Sequence, residues 1–211
     1  MSKYLEINLS VDDDYFSQVN NKFFPLSACM ATSFIMALKA EKIPVIEAGS
    51  PLVMNWPIFI YPAGLQPEDF LMALLRSPWG YEMRDKIAWA KRDNIEPNMV
   101  HAVLSEAINR IVGVKVTEFV TEATVWDLFH ELENGHPAVV SGSFTDTGHA
   151  VAVVGAVHTP GGEIKEIIVD DPYGNYFKGY SDKKGNNIHF PVDKFTQLWA
   201  GWYHRFNRFG I

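Results

Sequence analysis

Residues 4–10 (YLEINLS) alternate apolar and polar side chains, the period of a short half-buried strand, and the aspartates of 12–14 mark a turn after it. From Phe24 the period changes. Phe34, Ala37 and Leu38 recur at helical spacing behind Pro25 and Ser27, which predicts a buried helix with Cys29 in its first turn. Its end is expected near Lys42, because Pro44 cannot continue it. The stretch from there to Gln66 mixes Pro, Gly and aromatic residues without a period and reads as irregular surface wrapping. Helical patterns return over 67–77, 81–93 and 97–112, the first and last opening on a proline followed by acidic or polar residues. Residues 114–120 alternate like a strand, and 124–134 form an amphipathic helix that Gly135 terminates. Three β-rich runs follow over 137–143, 149–157 and 164–169, and they predict an antiparallel sheet packed on the earlier helices. The tail from 188 to 211 adds a further strand, a short helix from near Val192 and an aromatic-rich end expected to pack on the sheet.

This order of elements predicts an α+β fold in one domain spanning 1–211, with a helical insertion at about 41–134. The 211 residues suffice for an extensive core, and 47% hydrophobic content without a low-complexity run excludes a disordered chain. A net charge of −7 argues against a nucleic-acid partner or an anionic membrane surface, since a polyanion is repelled at long range. One cysteine excludes an internal disulfide, and no Cys/His cluster has metal-ligand spacing, so no metal or other cofactor is expected. Residues 1–14 carry Lys3, Glu6 and three aspartates instead of the apolar core of a signal peptide, and no stretch reaches the ~20 apolar residues of a membrane span. The expectation is a protein cytoplasmic as synthesised, with release to a cell wall only by another route.

The cysteine matters, if it matters, as a thiol. A helix N-terminus and a neighbouring imidazolium both stabilise a thiolate, and Cys29 meets the first condition. His149, at the start of an apolar strand after Thr147-Gly148, stands where a base could face that helix, with Gly148 read as allowing close backbone approach. Asp171 follows the strand ending at Val169 and precedes Pro172, in a turn that could hold its carboxylate against the imidazole. Asp170 competes for that role, but adjacent strand residues point to opposite faces, and the Asp-Pro pairing favours Asp171. Gln18, eleven positions before Cys29, could donate its amide to an oxyanion together with the Cys29 backbone N–H. Each residue also has a plain structural reading: a small buried cysteine, a sheet-edge histidine, a loop-capping glutamine.

Four segments shift that balance. Tyr15-Phe16-Ser17-Gln18-Val19-Asn20-Asn21, Cys29-Met30-Ala31-Thr32-Ser33, Gly148-His149-Ala150-Val151-Ala152-Val153-Val154-Gly155 and Asp170-Asp171-Pro172-Tyr173-Gly174 resemble cysteine peptidase family 39 and its relatives. That family includes bacteriocin-processing, double-glycine leader peptidases, and its looser branch is similar to stand-alone peptidase-like domains of phages and bacterial secreted proteins. The resemblance covers 15–40 and 135–200. It implies a papain-like fold, with Cys29, His149 and Asp171 as catalytic triad and Gln18 completing the oxyanion hole.

The function expected on these grounds is a cysteine hydrolase acting on amide or peptide bonds. Its substrate partner is expected to be a peptide, with peptidoglycan of a bacterial cell wall as the leading case for a phage-like lytic protein. A protein-processing peptidase, an acyltransferase effector using the same triad, and a non-catalytic binding module retaining the fold stand as alternatives.

Overall fold

The computed structural model describes residues 4–10, 12, 15–22, 24–43, 66–90 and 98–206. The irregular wrapping expected between Pro44 and Leu65, and the last five residues of the tail, lie outside the described residues. In chain order the elements are β1 (Leu5–Asn8), α1 (Cys29–Ala40), α2 (Pro67–Leu75), α3 (Pro78–Ala90), α4 (Asn98–Val112), β2 (Thr117–Val120) and α5 (Val125–Glu133). They continue with β3 (Ala138–Gly142), β4 (His149–His158), β5 (Ile164–Asp170), β6 (Ile188–Pro191), α6 (Val192–Leu198) and β7 (Trp199–Phe206).

All seven strands join one antiparallel sheet in the order β2-β7-β3-β4-β5-β6. β1 lies against β4 over Gly155 to His158, beyond the stretch from His149 to Val153 that β3 covers. The aromatic tail is therefore an internal strand of the sheet, flanked by β2 and β3, and not a segment laid over it. Within residues 41–134, β2 and α5 belong to the sheet and its cover, alongside the three helices α2–α4.

Helices cover both faces, which explains why β4 is a continuous apolar run instead of an alternating one. Ala150 and Val139 face a core built with Phe34, Leu38, Leu71 and Leu104 of α1, α2 and α4. Val151, Val153, Val140, Ile167 and Val169 face a second core with Leu128, Phe129 and Leu132 of α5 and Phe195 of α6. Period-two alternation thus assigns neighbouring residues of one strand to different cores. Phe34 is fully buried, with its ring centroid 5.1 Å from Phe206 and 4.6 Å from His204, so Phe34→Ala is expected to cost about 3–5 kcal/mol.

The helix starts follow local chemistry. α3 begins at Pro78, three residues earlier than its periodicity predicts, because the Ser77 hydroxyl accepts from the Gly80 N–H at 3.3 Å and proline suits a first helical turn. α5 begins after Thr124, whose N–H donates to the Asp127 carboxylate at 2.7 Å while its hydroxyl accepts from the Asp127 N–H. Among the described residues no helix is long and apolar enough to cross a membrane.

Candidate active site

Three element ends meet at one end of the central strands. Cys29 is the first residue of α1, His149 the first of β4, and Asp171 follows the last residue of β5. The seating of α1 on β4 sets their approach: one helical turn after Cys29, the Ser33 hydroxyl donates to the Ala150 carbonyl at 3.1 Å, inside the buried core. That bond fixes the helix against the residue next to His149.

Gly148 enters β4 with φ +82°, a left-handed conformation that favours glycine. A Cβ there would meet only the Gly142 carbonyl, at 3.9 Å, so the requirement is conformational and not the close backbone approach expected from the sequence. Close approach occurs instead at Gly142, where a Cβ would collide with the Leu198 carbonyl.

Asp171 is fully buried and heavily constrained. Its Oδ1 takes the His149 Nε2 hydrogen at 2.7 Å and the Tyr173 N–H at 2.9 Å, and its own N–H donates to the Gly185 carbonyl at 2.7 Å. The Tyr180 hydroxyl lies 3.3 Å from Oδ2 and 2.9 Å from the Phe144 carbonyl, and the Tyr15 hydroxyl donates to the Asp171 carbonyl at 3.0 Å. Asp170 faces elsewhere: its carboxylate accepts from Ser10 Oγ and from the Asn187 N–H, both at 2.8 Å. Burial raises the Asp170 carboxyl above its ordinary value, the two hydrogen bonds opposing it.

With Nε2 engaged by Asp171, the other ring nitrogen of His149 is left for Cys29, to which the ring is hydrogen-bonded. Burial disfavours a charged His149, but the hydrogen bonds and charges of Asp171 and Cys29 outweigh it and raise the ring from 6.5 to about 9. Burial likewise opposes a Cys29 thiolate, yet the His149 hydrogen bond and charge, with backbone bonds from Ala150 and Met30, lower the thiol below its ordinary value. Both shifts favour the same species, a thiolate–imidazolium pair. Cys29 is partly exposed and helps line a cleft of about 370 Å³ walled by α1, α2, α3 and α4.

Gln18 stands in a 3-10 turn, nearly fully buried. Its backbone N–H donates to the Pro172 carbonyl at 2.8 Å, and its Nε2 donates to the Pro25 carbonyl at 2.9 Å, so it joins the Asp-Pro turn to the loop that leads into Cys29. Its Oε1 has no hydrogen-bond partner among the described residues. One amide hydrogen is therefore committed to the loop and one remains for another acceptor.

Sequence reasoning did not single out Ser33, Tyr15 or Tyr180 for these positioning contacts. Ser33 and Tyr15 fall inside the segments that carry the family resemblance. Tyr180, nine residues past Asp171 with φ +61°, has no local signal, since its role arises from the fold of the loop between β5 and β6. Among the described residues no group of three His, Cys, Asp or Glu side chains is placed to hold a metal ion.

A thiol, an imidazole and a carboxylate hydrogen-bonded in series at a helix N-terminus, opening on a cleft, form a set of groups able to perform nucleophilic acyl chemistry. No protein-family model and no curated protein sequence matches this chain. Among solved structures, the chain is similar to a crystal structure from Bacillus anthracis described as a "putative C39-like peptidase". The two share 14% sequence identity and a TM-score of 0.54 over 97% of this chain and 98% of that one. The α+β fold is thus one it has in common with that protein.

Proposed function

We propose that this protein is a cysteine hydrolase that cleaves a peptide or related amide bond through Cys29, His149 and Asp171. The observation that carries the reading is the hydrogen-bonded series from the partly exposed Cys29 through the buried His149 to the fully buried Asp171. The fold shared with the Bacillus anthracis protein, itself described as a peptidase, agrees with it.

In this mechanism the Cys29 thiolate attacks the substrate carbonyl carbon, and the carbonyl oxygen takes the negative charge. The Cys29 N–H belongs to the first helical turn, whose N–H groups lack intrahelical acceptors, and it donates to that oxyanion together with the second amide hydrogen of Gln18. Collapse of the intermediate breaks the C–N bond as imidazolium His149 passes its proton to the leaving nitrogen, leaving a thioester on Cys29. Neutral His149 then takes a proton from water, whose oxygen attacks the thioester. The acid is released and the thiolate–imidazolium pair is restored. Asp171 holds the ring and stabilises its charge throughout, without transferring a proton. The substrate is a peptide, and a bacterial cell-wall peptide is one source of it.

The test is the rate at which iodoacetamide labels Cys29 at neutral pH. The reading predicts labelling much faster than that of a small-molecule thiol at equal pH, and slowing in His149→Ala. A wild-type rate at or below that of the small thiol would overturn it.

A further inference from the structure

The cleft beside Cys29 differs in charge from the molecule around it. The chain carries a net charge of −7, yet the charged residues lining the described cleft are two arginines, Arg76 and Arg84. Met30, Met72, Leu75 and Val103 supply apolar wall between them. Arg76, just past the last residue of α2, lies 4.0 Å over the Phe24 ring and reaches Ser27 Oγ at 3.5 Å, and Arg84 on α3 lies 5.0 Å over the Tyr81 ring. Stacking on an aromatic face holds a guanidinium in place while leaving most of its N–H fork available. Both guanidiniums stack in this way with no ion-pair partner among the described residues. Apolar walls exclude water and strengthen the attraction between a guanidinium and an incoming carboxylate.

We infer that this cleft selects a substrate segment that presents an apolar side chain together with a carboxylate close to the scissile bond. The inference rests on Cys29 being the nucleophile, because Cys29 is one of the residues that line the cleft. The apolar side chain packs against Met30, Met72, Leu75 and Val103, and the carboxylate lies towards Arg76 and Arg84.

Four alkylating probes test it: N-bromoacetyl-leucine, its neutral amide N-bromoacetyl-leucinamide, N-bromoacetyl-glycine and the cationic N-bromoacetyl-lysinamide. The rate of Cys29 modification is followed by intact mass at low ionic strength and divided, for each probe, by its rate with a small-molecule thiol. The normalised rate for bromoacetyl-leucine should exceed that for its amide by about fivefold, with the lysinamide slowest, and added salt should shrink the difference. The ratio should fall by about half in Arg84→Gln and towards one in the Arg76→Gln, Arg84→Gln double variant, while Arg76→Lys, which keeps the charge, retains it. Equal normalised rates for acid and amide, or a ratio that survives the double substitution, would overturn the charge selection. Bromoacetyl-glycine reacting as fast as bromoacetyl-leucine would overturn the apolar part. If normalised rates were uniformly no higher than one while the acid-over-amide ratio persisted, the cleft inference would stand and the activation of Cys29 would fall.

Discussion

Replacing Asp171 by Asn removes one charge from a buried site with little change in volume. The displacement of His149 from 6.5 to about 9 corresponds to roughly 3 kcal/mol in favour of the charged ring, at about 1.4 kcal/mol per unit. Burial works against that displacement, so Asp171 and Cys29 together supply more than the net amount. Asp171 supplies the larger part of that stabilisation, so its charge is worth at least roughly tenfold in the ratio of ion pair to neutral pair. An asparagine amide can also donate to Nε2, which would place the ring hydrogen on the nitrogen facing sulfur, where no thiol proton can be accepted. Asp171→Asn is therefore expected to lower kcat by at least about tenfold without abolishing turnover, and to move the onset of Cys29 labelling by iodoacetamide to higher pH. Kinetics on a fluorogenic peptide and a labelling-rate profile against pH read the two effects. A variant with kcat within about threefold of wild type, or a larger loss in Asp170→Asn, would refute the reasoning.

Gln18→Ala should lower kcat by about 10²-fold or more while Cys29 labelling stays fast, because alkylation creates no oxyanion; labelling that fell in step with turnover would reduce Gln18 to its bond with the Pro25 carbonyl. His101 and His204, 2.8 Å apart and buried, have values lowered by burial, that of His101 to about 3 and that of His204 well below 6.5. Below pH ~6.5 the unfolded chain binds the more protons, so their stabilisation, complete above that pH, should be lost towards pH ~3 at about 1.4 kcal/mol per pH unit per ring. Urea unfolding against pH should show this slope, and His101→Gln should flatten it. Glu68 has the opposite sign: burial raises its carboxyl from 4.5 to about 7, against a smaller lowering by its own backbone N–H, and neither oxygen has a side-chain partner among the described residues. Its folded form holds the proton more tightly, so it costs stability as pH rises from about 4.5 to about 7, and Glu68→Gln should be more stable at pH 8 by about 2 kcal/mol in the same unfolding experiment.

The residues of the candidate site were legible because their signals are local. A cysteine behind Pro25 and Ser27 marks a helix start, a histidine opening an apolar run marks a strand start, and Asp-Pro marks a turn. Strand alternation allowed only one of Asp170 and Asp171 to face His149 and the Asp-Pro pair favoured Asp171; the two carboxylates do diverge, one to His149 and the other to Ser10 and Asn187. What the sequence hid is non-local. β7 carries Gly201 at φ +79° and pairs with β3 across a register shift between Val140 and Gly142, and it is covered on both faces. An irregular strand with two buried faces shows no clean period, so the aromatic end read as packing on the sheet it in fact helps to form. The second hydrogen bond of Gln18 was hidden likewise, since a side chain's partner seven residues away depends on how the loop closes and not on spacing.

The central claim is that Cys29 breaks amide bonds, and product analysis tests it most directly. Wild-type protein and Cys29→Ala are incubated in parallel with a peptide library and with purified peptidoglycan, and new termini are read by mass spectrometry. The account predicts new termini from the wild type alone, with an acidic residue and an apolar residue enriched beside the cut. Equal cleavage by Cys29→Ala, or no cleavage of any peptide by a wild type whose thiol is labelled rapidly, would contradict it.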